Sequence, residues 1–98
     1  MRLRLTALAA VDVAEARDWY SEQGTSLGDR FEQALDETFA NILEHPRAFP
    51  VVRRGTRRAM VSGAFSAYQV FYRVERADVV VIAVIHGARH PKHWKRRR

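Results

Sequence analysis

The chain has 98 residues, 47% of them hydrophobic, and no cysteine, enough for one compact core but not for a disulfide framework or a thiolate metal site. Met1-Arg2-Leu3-Arg4-Leu5 meets Asp12 and Glu15 too soon for a signal peptide, and no run nears the roughly 20 apolar residues of a membrane span; a soluble cytoplasmic protein is expected. The net charge of +6 is segregated: residues 1–44 carry four arginines against nine carboxylates, net −5, and residues 45–98 thirteen Lys or Arg against two, net +11.

In chain order, Arg2 to Thr6 alternates polar and apolar residues and predicts a short half-buried strand. Ala9, Val13, Ala16 and Tyr20 follow at helical spacing, with Gly24 as a stop signal. Thr25 or Ser26 can cap a second helix, and Ser26 with Asp29 resembles a capping box. Its inward stripe is Phe31, Leu35, Thr38 and Ile42, flanked by Phe39 and Leu43, and it ends at Glu44-His45-Pro46. A short loop between two such helices makes an antiparallel hairpin.

From Pro50 the pattern turns to strands. Residues 51–54 and 57–61 are short candidates around Gly55-Thr56. Tyr68, Val70, Tyr72 and Val74 alternate with Gln69, Phe71, Arg73 and Glu75, giving a strand with two distinct faces. Arg76-Ala77-Asp78 reads as a tight turn. Val79 to Ile85 is an uninterrupted apolar run, as expected of a central strand covered on both sides. The fold class is α+β: an N-terminal strand and a two-helix antiparallel hairpin packed on a three- to four-stranded antiparallel sheet. Residues 1–98 form a single domain with a basic tail over 90–98.

The segment from His86 to the end holds six Lys or Arg, three histidines, one tryptophan and no acid. Residues 1–85 balance at eleven cations and eleven anions, so this segment carries the whole net charge. A field of that kind draws polyanions or an acidic protein. His86, His90 and His93 do not suggest a metal site: Gly87 and Pro91 oppose a helix, no carboxylate lies near, and the surrounding cations repel a dication. No nucleophile elbow, phosphate-binding loop or pair of carboxylates accompanies the basic half, and no cofactor is implied. The arginines remain. Arg53, Arg54, Arg57 and Arg58 lie on the early strands and Arg89 follows the last one, where they can meet phosphates or carboxylates bidentately. Arg53 and Arg54 equally suit an edge strand guarded against aggregation. Trp94 suits core capping, partner insertion or base stacking.

Several pieces together resemble the RelE/ParE superfamily, nearer its ParE branch. They are Val11-Asp12 with Trp19-Tyr20, Phe31 to Leu43 running into His45-Pro46, Arg57-Arg58, Tyr68 to Val74, and Val84-Ile85-His86-Gly87-Ala88-Arg89 followed by Pro91 and Trp94. The ordered set spans nearly the whole chain. The resemblance implies the toxin of a type II toxin–antitoxin pair, of the kind that stabilises plasmids, in a hetero-oligomer with an acidic, ParD-like antitoxin. ParE-like members inhibit DNA gyrase by binding and are not enzymes; for that activity the expected target-binding residues are Arg89, Lys92, Trp94, Lys95 and Arg96. RelE-like members are ribosome-dependent mRNA endonucleases; on that alternative Arg57, Arg58, His86 and Arg89 would surround the scissile phosphate. The RelE pattern is poorly matched, since no tyrosine follows Tyr72 and no lysine precedes Lys92. The ParE pattern departs at Phe65-Ser66-Ala67-Tyr68, where Phe-Pro-Tyr is common. A non-toxic relative retained as a binding module is the third reading.

Overall fold

The computed structural model describes residues 1–87 and Arg97. β1 (Arg2–Leu5) leads into α1 (Ala7–Gln23) and α2 (Leu27–Glu44), followed by β2 (Val51–Arg53), β3 (Thr56–Met60), a 3-10 turn (Gly63–Phe65), β4 (Tyr68–Glu75) and β5 (Asp78–His86). The α+β class and the helical hairpin are as expected. The sheet differs. It has five strands in the order β1-β5-β4-β3-β2, and β1 joins it parallel to β5 while every other pairing is antiparallel. The helical hairpin returns the chain to the same end of the sheet, so β1 runs alongside β5 instead of against it.

α1 begins at Thr6, whose hydroxyl accepts the Ala9 N–H at 3.2 Å; the residue expected to extend the strand caps the helix instead. The Ser26–Asp29 capping box does not form. Ser26 sits in the left-handed region (φ 67°) without a side-chain cap, and Asp29 is drawn away to Arg17, which also binds Glu32. Phe31, Leu35, Thr38 and Ile42 are buried as their spacing predicted, with Phe39 and Leu43 packed beside them. The helices touch closely at Gly28: a Cβ there would lie 2.0 Å from Ser21 Oγ and 3.1 Å from the Arg17 carbonyl. Thr38 then ties α2 to the end of β3 by accepting the Ser62 N–H at 3.0 Å.

Two apolar clusters lie on opposite sides of the sheet. The larger joins the helices to Ala59, Val70, Tyr72, Val79, Val81 and Val84. The smaller, on the outer side, comprises Phe71, Val80, Ile82 and Ala83, against which Val52 and Ile85 pack. The register explains how one unbroken apolar run serves both. Phe71 faces Ala83 and Tyr72 faces Val81, so Ile82 is an extra residue on β5. The bulge reverses the alternation, placing Val81 and Val84 toward the helices and Val80, Ile82 and Ala83 outward.

Candidate target-binding surface

Residues paired directly across strands share a face. Arg58 opposes Phe71, which opposes Ala83; Thr56 opposes Arg73, which opposes Val80, itself beside Arg4. Arg4, Arg58 and Arg73 therefore surround the outer apolar cluster, with exposed Arg53 and Arg54 at the β2–β3 turn. The two acids of this region are already engaged. Arg4 lies 3.5 Å from Asp78 and 4.0 Å from Glu75, and Arg73 lies 3.6 Å from Glu75. Arg58 pairs with no carboxylate among the described residues. The outer face thus offers guanidinium groups around an apolar centre, an arrangement suited to an acidic partner that also buries hydrophobic side chains.

Arg57 behaves differently from its neighbour. It opposes Tyr72 on the helix side of the sheet and donates to the carbonyls of Arg47 and Phe49, at 3.0 and 2.7 Å. Tyr72 donates to the Pro46 carbonyl at 2.7 Å. Burial pushes the Tyr72 hydroxyl above its ordinary pKa of 10.0, with Arg57 opposing the shift. Together the two side chains hold the α2–β2 loop against the sheet.

His86 ends β5 opposite Tyr68, their rings edge to face with centroids 5.4 Å apart. Gly87 then donates to the Ala67 carbonyl at 2.7 Å, and a Cβ on it would meet Gln69 Nε2 at 2.9 Å. The structure therefore separates the residues considered for nuclease chemistry. Arg57 points to the helix side with its donors on backbone carbonyls, Arg58 points outward, and His86 lies at the far end of β5 from Asp78. Arg89, Lys92, Trp94, Lys95 and Arg96 lie outside the described residues, as do His90 and His93. Among the described residues no three His, Asp or Glu side chains cluster as metal ligands, and no helix is long and apolar enough to cross a membrane.

Asp12 and Arg97, which sequence reasoning did not single out as functional, meet at the β1 side of β5. Arg97 spans both Asp12 carboxylate oxygens and also donates to the Ile82 carbonyl at 3.1 Å, while Asp12 Oδ2 accepts the Val84 N–H at 3.0 Å. One signal pointed to Asp12. It falls three residues after Ala9 and four before Ala16, in phase with the buried stripe of α1, where a carboxylate needs a partner.

The chain matches the family model for the ParE toxin of the type II toxin–antitoxin system, parDE, across residues 3–91. It belongs to the ParE toxin family. This ParE-family chain also resembles a solved structure described as the chromosomal ParDE TA system from P. aeruginosa, with a TM-score of 0.75 and 18% identity. The alignment covers 88% of this chain and 95% of that one; at such identity the likeness is one of fold. No curated protein matches the chain.

Proposed function

We propose that this ParE-family toxin inhibits DNA gyrase by direct protein contact and is neutralised by a cognate acidic antitoxin. Membership of the toxin family supports the toxin–antitoxin setting. The observation that carries binding over catalysis is the placement of Arg57 and Arg58: adjacent arginines leave β3 on opposite faces, and Arg57 is committed to two carbonyls. A phosphate-cleaving site needs its cations to converge on one group, whereas a docking face needs only a distributed field. Arg89, Lys92, Trp94, Lys95 and Arg96 extend the basic side of the molecule and serve as target contacts, with Arg4, Arg58 and Arg73 beside them. An acidic antitoxin segment fits the same surface, in a hetero-oligomer located in the cytoplasm.

Purified toxin should inhibit gyrase supercoiling, and its antitoxin, encoded beside it, should restore the activity and co-purify with it. Arrested growth with gyrase unaffected would dispose of this reading. His86, held against Tyr68 at the end of β5, favours ribosome-dependent mRNA cleavage as the runner-up. Cleaved messages in a cell-free translation system, lost on Arg89→Ala, would establish it. Unchanged growth on strong induction would favour a non-toxic binding module.

A further inference from the structure

β1 stops at Leu5, and beyond it the same edge of β5 has no strand beside it. Thr6 still donates to the Val81 carbonyl at 3.0 Å. Past that point two side chains take over the work of a strand. Asp12, from α1, accepts the Val84 N–H, and Arg97 donates to the carbonyl of the bulged residue Ile82. The two side chains join through a two-oxygen contact and are 10% and 14% exposed. A guanidinium–carboxylate pair of this kind is directional and little screened by salt when sheltered from water. Separating it would leave a carboxylate and a cation short of partners in a poorly hydrated place.

The contact also has a topological effect. Gly87 is fixed to the Ala67 carbonyl, and Arg97 is fixed to Asp12 and Ile82. The basic segment 88–96 runs between these two points. We propose that Asp12 and Arg97 are positioning residues, which tie the far end of this segment to the sheet so that its cations meet the target already oriented. The proposal rests on the reading above, that residues within Arg89 to Arg96 contact gyrase. Neither Asp12 nor Arg97 needs to touch the target itself. Closing a nine-residue connection in advance removes an ordering cost from binding worth roughly ten- to thirty-fold in affinity.

Asp12→Asn separates the two roles of the carboxylate. The amide oxygen can still accept the Val84 N–H, but the charge that holds Arg97 is gone. Arg97→Ala removes the pair from the other side. The whole chain, free of partners, is treated with limiting trypsin, and cleavage after Lys92 and Lys95 is followed by mass spectrometry. Wild-type protein should be cut at least ten-fold more slowly than either variant. The double variant should be no faster than the singles, since both break one interaction. In parallel, the concentration needed to inhibit gyrase supercoiling should rise about ten-fold in both variants, with thermal midpoints of Asp12→Asn and wild type close together. Equal cleavage rates in wild type and variants, or additive effects in the double variant, would overturn the anchoring. Faster cleavage with unchanged gyrase inhibition would overturn its role in binding. A wild-type protein that leaves gyrase untouched would instead overturn the target assignment, and that result is read independently of the protease experiment.

Discussion

Arg57 and Tyr72 stand directly opposite each other on β3 and β4, and both end on carbonyl oxygens of the same loop, the one joining α2 to β2. The helical hairpin and the start of the sheet's outer half are thereby locked together by two side chains, one cationic and one neutral.

Tyr72→Phe should lower stability by about 1 kcal/mol at neutral pH through loss of the Pro46 hydrogen bond. The larger signature is alkaline. Because the folded-state pKa of Tyr72 is raised, the native protein holds its proton where the unfolded chain has released it. Stability tied to this group is complete below pH 10, the ordinary tyrosine value, and is lost as pH rises from there through the raised folded value. Urea titrations between pH 8 and 11 should show a steeper alkaline decline for wild type than for Tyr72→Phe.

Arg57→Ala and Arg58→Ala should have opposite consequences. Removing Arg57 deletes two charge-assisted hydrogen bonds and should cost about 1–3 kcal/mol of folding stability. Removing outward-facing Arg58 should change stability by less than about 0.5 kcal/mol while weakening binding to the antitoxin or gyrase. Thermal melts and titration calorimetry on the same two proteins check both halves. A stability loss shared equally by the two variants would refute the assignment of faces.

Gly28→Ala should destabilise the hairpin despite alanine's higher helix propensity. Rotating the Ser21 hydroxyl aside still leaves the new methyl 3.1 Å from the Arg17 carbonyl, so the helices must part. Overpacking of this sort costs about 1–3 kcal/mol, more than the roughly 1 kcal/mol that propensity returns. Combining it with Ser21→Ala should recover part of the loss but not all of it, as chemical denaturation would reveal.

Binding through Lys92 to Arg98 should weaken steeply with salt. Affinity for the antitoxin measured between 50 and 500 mM salt should fall by at least an order of magnitude, as expected when several exposed cations contribute. At antitoxin concentrations about 100-fold above Kd, the complex should gain about 2.7 kcal/mol in stability. A salt-insensitive affinity would place the contact elsewhere than the tail.

The elements with long, regular patterns were readable from sequence. The α2 stripe from Phe31 to Ile42, the alternation of β4 and the apolar run of β5 each state their burial in their spacing. What escaped was non-local. Nothing in Arg2 to Leu5 distinguishes a parallel from an antiparallel neighbour, because the partner lies more than seventy residues away. Nor does the bulge at Ile82 leave a mark in a run where every residue is apolar. The Arg57-Arg58 pair illustrates the limit at the candidate site. Composition announces two cations on a strand, but period-two geometry sends only one outward, and which one depends on the register with β4. The Asp12–Arg97 contact joins residues 85 positions apart, so only the oddity of a carboxylate on a buried helical stripe hinted at it.

β5 is the last element made, yet its hydrogen bonds reach the first strand on one side and β4 on the other. During synthesis the helical hairpin can assemble early from local contacts, but the sheet has no middle until residues 78–86 arrive. Until then Leu3, Leu5 and the apolar face of β4 have no β5 to lie against. A growing chain of this toxin is therefore harmless and vulnerable together: it has nowhere to organise its basic surface, and it offers proteases and chaperones the exposed strands they recognise.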